Sequence, residues 1–157
     1  FHKCRALKTC MDGTVSLDDD QNMQVQDAKA KAESALAKVI TLMNEGEHAE
    51  IVIESFQKYL SEDMNDFDLM RERLQMVLDM MSTHTVQYHN VEAAVLEEVG
   101  SSLYAYVYPH EGELGEVDMT KFIVYLGPSF WEAPHEWERD CQPGTIIHEF
   151  THHVFHT

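Results

Sequence analysis

His148-Glu149-Phe150-Thr151-His152 forms an H-E-x-x-H near the end of this 157-residue chain. On a helix, residues four apart share a face, so His148 and His152 can present two imidazoles to one zinc ion. Glu149 stands one step round, where a carboxylate can take a proton from an attacking water and hand it to a leaving amine. Zinc bound there would lower the pKa of its water toward neutrality and polarise a scissile carbonyl. The pattern therefore predicts a zinc-dependent hydrolase, with Zn2+ as cofactor, His148 and His152 as ligands and Glu149 as general base.

Catalytic zinc takes a third protein ligand. His156 continues the series at i+8, but the ends of such a series lie about 12 Å apart along a continuous helix axis. Zn–N bonds are about 2 Å, so one ion cannot readily take all three. A glycine bend, as in H-E-x-x-H-x-x-G-x-x-H, would bring a third histidine round, and Phe155 occupies that glycine position. His153 faces another way and is expected at the surface. His2, His48, His84, His89, His110 and His135 are scattered and read as ordinary polar residues.

The motif needs a helix and a scaffold. Residues 145–155 carry Ile146, Ile147, Phe150, Val154 and Phe155 around it, behind Pro143-Gly144, and predict that helix. Residues 103–108 (LYAYVY), ended by Pro109, and residues 122–126 (FIVYL) predict two strands. Residues 110–120 read as a turn or loop, and Gly127-Pro128 and Ala133-Pro134 punctuate a further loop. Upstream, Val25, Ala28, Ala32, Ala35, Leu36, Val39, Ile40 and Met43 repeat at helical spacing, closing near Glu45-Gly46. Ile51, Ile53, Phe56 and Leu60 suggest a short second helix. Asp66 reads as the N-cap of a third, with Phe67, Met70, Leu74, Val77, Leu78 and Met81 on one face. The methionines fit this core better than any ligand role. The expected architecture is α+β in a single domain over residues 1–157. Residues 1–20 form a loose lead-in, 21–85 a helical part, and 100–157 a small antiparallel sheet followed by the motif helix.

Composition narrows the partners. Twenty-eight acids stand against 11 bases, a formal net charge of −17, which opposes binding to nucleic acid or anionic membranes. No 18-residue apolar run is present, so no membrane insertion is expected. Three cysteines, Cys4, Cys10 and Cys141, allow at most one internal disulfide, and no C-x-x-C offers a thiolate zinc site.

Three segments in order, AYVYP (105–109), VYLGPSFWEAP (124–134) and GTIIHEFTHH (144–153), resemble the aspzincin zinc metalloendopeptidases, deuterolysins and especially the peptidyl-Lys branch. The resemblance implies a zincin-like fold and an endopeptidase that cuts proteins or peptides, in the peptidyl-Lys branch on the N-terminal side of lysine. It also implies a third ligand, an aspartate in a G-T-x-x-D-type segment after the second histidine, with an oxyanion-stabilising tyrosine beyond. Both are expected past Thr157, so the site would be completed by a further C-terminal segment or a second chain. Secretion or delivery outside the cell is implied too, either as a fungal-type enzyme or as a bacterial toxin protease. The family's mid-chain cysteines have no counterpart between Cys10 and Cys141.

In zincins an edge strand near the site pairs with extended substrate. That role is assigned here to the strand at 122–126 or its neighbouring loop, with Val124 and Tyr125 as substrate-binding residues. Tyr104, Tyr106, Tyr108 and Tyr125 are either cleft residues or alternately packed in the sheet. Phe130, Trp131 and Trp137 read as loop anchors. A non-catalytic fragment, or a zinc-binding or interaction module, is the alternative from another functional class.

Overall fold

A computed structural model describes residues 15–45, 50, 54, 67–83, 86–107 and 122–155. In chain order these form β1 (Val15–Ser16), α1 (Asp19–Glu45), α2 (Phe67–Thr83), β2 (Val86–Asn90), α3 (Ala93–Val99), β3 (Ala105–Val107), β4 (Phe122–Leu126), α4 (Pro128–Glu132) and α5 (Gln142–Phe155). The helix expected around Ile51–Leu60, the Asp66 cap, the 110–120 loop, Cys4, Cys10, His156 and Thr157 lie outside the described residues.

Helix α1 starts where its chemistry allows. Asp18 Oδ1 accepts from the Gln21 backbone N–H at 2.8 Å, and Gln21 Oε1 accepts from the Asp18 N–H at 3.1 Å. This reciprocal cap satisfies two donors at the helix start, and Asp19 and Asp20 sit against its positive end. Asp18-Asp19-Asp20 is therefore a helix start and not the tail of a loose lead-in; Val15 and Ser16 already pair with Asn90 and His89. The Gln21 carboxamide also accepts from Asn90 Nδ2 at 2.9 Å, and Asn90 Oδ1 accepts from Trp131 Nε1 at 3.0 Å. Those two bonds tie α1 to the end of β2 and to α4.

The sheet runs β1-β2-β4-β3. Strands β1/β2 and β3/β4 are antiparallel, but β2 and β4 are parallel, with Tyr88 opposite Val124. The sheet is mixed where a small antiparallel one was expected, because VQYHN forms a strand that its polar residues concealed. Val86, Tyr88 and Asn90 alternate with Gln87 and His89, so the period of two is present without a continuous apolar run.

One sheet face meets the three long helices. Phe122, Val124 and Leu126 join Val25, Leu36 and Met43 of α1, Met70, Val77 and Met81 of α2, and Ile146, Phe150 and Val154 of α5 in the main core. On the other face, Tyr106 and Tyr125 stack at 4.8 Å and pack with Val91, just past β2, and Val95 of α3. Of the expected stripes, Val25, Ala28, Ala32, Leu36, Ile40 and Met43 on α1 and Met70, Leu74, Val77 and Met81 on α2 are buried, while Ala35, Val39, Phe67 and Leu78 are only partly so. No helix among the described residues is long and apolar enough to cross a membrane.

Gly127 joins β4 to α4 and donates its N–H to the Tyr104 carbonyl at 2.8 Å. A β-carbon there would press on the Leu103 carbonyl oxygen, and would come within 2.9 Å of its carbon. Backbone cannot give way as a side-chain tip can. Gly127→Ala is expected to destabilise the chain by roughly 1–3 kcal/mol, a shift in the urea midpoint with unchanged slope.

Candidate metal centre

Helix α5 begins at Gln142, three residues before its expected start. Pro143 occupies the first turn, where a missing N–H costs nothing, and Thr145 N–H bonds the Cys141 carbonyl at 3.0 Å. Gln142 Nε2 donates to the Phe130 carbonyl at 3.0 Å, fixing the helix start to α4. Further along, Phe122 packs edge-on against Phe150 at 4.9 Å and lies over His153 at 4.0 Å. Arg73 of α2 sits 5.3 Å from the centre of the Phe155 ring, a cation–π contact at the last turn. The helix is held at both ends and by the start of β4, so its outward residues have fixed bearings.

His148 and His152 point outward one turn apart, and their Nε2 atoms approach to 2.9 Å with the rings perpendicular. Two nitrogens on one tetrahedral zinc at about 2.0–2.1 Å would stand about 3.3 Å apart, so a small rotamer adjustment accommodates the ion. Burial, and then the neighbouring His152, lower the pKa of His148. Both effects favour the neutral imidazole, which is the form that binds metal.

Glu149 lies beside this pair but is only 4% exposed, and its Oε2 has no hydrogen-bond partner among the described residues. Burial pushes its carboxyl up to about 7. A buried carboxyl oxygen without a partner costs stability, and such groups concentrate where chemistry needs a proton held near neutral pH. Two convergent imidazoles next in sequence to a buried carboxyl fit a zinc ion. No group of three His, Cys, Asp or Glu side chains that could hold a metal ion exists among the described residues.

Other sequence-derived assignments fall differently. Strand β4 is interior, flanked by β2 and β3, so its backbone is not free to pair with substrate. Val124 is 0% exposed in the main core and Tyr125 is 4% exposed beneath α3, which removes both from substrate contact. FIVYL is apolar without alternation, the signature of a strand covered on both faces. His153, expected at the surface, is 5% exposed and packed on Phe122. Its position was readable: Ile146, Glu149, Phe150 and His153 follow the i, i+3, i+4, i+7 spacing of a buried stripe. Tyr104 is exposed, while Phe130 is buried and Trp131 is bonded to Asn90. Trp137 is half exposed, at the edge of a groove lined by α1. Two open grooves among the described residues, about 670 Å³ between α1 and α2 and about 600 Å³ beside Trp137, include no residue of α5.

No family model matches the chain, and no curated protein does. Among solved structures it is similar to a zinc peptidase from Grifola frondosa, with 21% identity, a TM-score of 0.50, and coverage of 87% of this chain and 72% of that one. At that identity the likeness establishes the fold.

Proposed function

We propose that this chain is a zinc-dependent endopeptidase in which His148 and His152 hold the metal and Glu149 carries the proton. The observation that carries this reading is the convergence of the two Nε2 atoms to 2.9 Å, with the buried Glu149 carboxyl next to His148 on the same helix. A fold shared with a zinc peptidase supports it. When bound, zinc would polarise the peptide carbonyl and make water acidic enough to attack near neutral pH. Glu149 receives the proton of the attacking water and returns it to the departing amine. Its elevated pKa suits both halves of that exchange. The third ligand is proposed as an aspartate beyond Thr157, on the family resemblance. Lysine specificity and action outside the cell rest on the same resemblance.

Because β4 is interior, the substrate-pairing role moves to β3. Among the described residues β3 pairs on one side only, with β4, and it packs against α5. An extended peptide added to that edge would lie alongside the motif helix.

The test uses the full natural chain, stripped with chelator and supplied with an unfolded protein substrate. Cleavage should vanish on stripping and return with added zinc, and the new fragment N-termini should be lysine. Cleavage indifferent to chelator would sink the metallopeptidase reading, and fragments without lysine N-termini would remove the specificity alone.

A further inference from the structure

We propose that His153 is a positioning residue for Glu149, its imidazole taking one carboxyl oxygen so that the other faces the His148/His152 pair; this rests on the reading of Glu149 as proton carrier. Glu149 and His153 are one turn apart on α5, a spacing that makes their side chains neighbours. They are two of the three buried polar or charged residues among those described, at 4% and 5% exposed. The third, Gln142, is satisfied at the helix start. Glu149 Oε2 has no hydrogen-bond partner among the described residues, and buried polar atoms rarely stay that way.

The imidazole is itself immobilised. Phe122 lies 4.0 Å from it, with the ring planes tilted by 31°, and Phe122 is in turn wedged against Phe150. A phenyl ring could fill this apolar slot as well as an imidazole. What imidazole adds is a ring N–H held at a fixed place one turn from the carboxyl. A carboxylate gripped by one oxygen keeps a single rotamer, which is what a general base within reach of water requires.

Two experiments test the pairing, one without turnover. A double-mutant cycle in metal-free protein compares the Tm of wild type, Glu149→Gln, His153→Phe and the double variant. The pairing predicts non-additive shifts, and simple additivity overturns it whether or not the chain proves to be a peptidase. Imidazole 15N shifts of His153 in wild type and Glu149→Gln give the same answer without altering His153. They should differ at His153 and not at His89, and unchanged His153 shifts contradict the pairing. In the zinc-loaded full chain, His153→Phe should keep its zinc and its KM while kcat falls at least ~10-fold, as for loss of an orienting partner, and His153→Gln should recover part of it. Full kcat in His153→Phe, or loss of zinc together with kcat, overturns the assignment.

Discussion

Glu149→Gln should abolish hydrolysis and at the same time stabilise the metal-free chain. Replacing a general base typically costs ~10²- to 10⁴-fold in rate, with binding of substrate little changed. The stability gain follows from linkage. The carboxyl rises from its ordinary 4.5 to about 7 on folding, through burial. A raised acid is harmless below its unfolded pKa and destabilises increasingly as pH climbs through its folded one. At pH 8 the penalty reaches about 3 kcal/mol, from roughly 2.5 units at 1.36 kcal/mol each. Glutamine has no charge to bury. Metal-free Glu149→Gln should therefore melt roughly 6–12 °C above wild type at pH 8 and level with it near pH 4. Scanning calorimetry at both pH values checks the sign. A variant that loses stability at pH 8 would show that burial does not hold the carboxyl's pKa above its ordinary value.

His148→Ala and His152→Ala should each remove zinc binding while leaving the fold in place. A group that merely orients a ligand is worth 10- to 100-fold in metal affinity, so a direct ligand should cost more than ~10²-fold. His148 is exposed and His152 partly so, and neither belongs to the core. Metal-free Tm values should therefore stay within the small range of surface substitutions, about 0.5 kcal/mol. Titration with a competing chelator separates the two effects. Phe150→Ala makes the reverse control. It empties the slot beside Phe122 and should cost about 3–5 kcal/mol without touching a ligand.

How much of this was readable in the sequence depended on how local the signal was. The stripes of α1, α2 and α5 are local repeats, and Val25 through Met43, Met70 through Met81 and Ile146 through Val154 are buried as their spacing indicates. The i, i+4 convergence of His148 and His152 follows from helix geometry in the same way. Pairing in a sheet is not local. Nothing in FIVYL says which strands flank it, so β4 was mistaken for an edge, although its unbroken apolar run already hinted at cover on both faces. VQYHN was lost for the opposite reason, since Gln87, His89 and Asn90 dilute its alternation. The Asp18–Gln21 cap was legible as D-x-x-Q, but the acidic run around it suggested a solvated lead-in.

The central claim is that His148 and His152 share one zinc ion. Anomalous scattering at the zinc edge, from crystals of the zinc-loaded full chain, addresses it most directly. One peak is expected at about 2.0–2.1 Å from Nε2 of both residues, with the Glu149 carboxyl beside it and outside the ligand set. A peak that touches only one of these histidines, or zinc bound elsewhere on the chain, would contradict it.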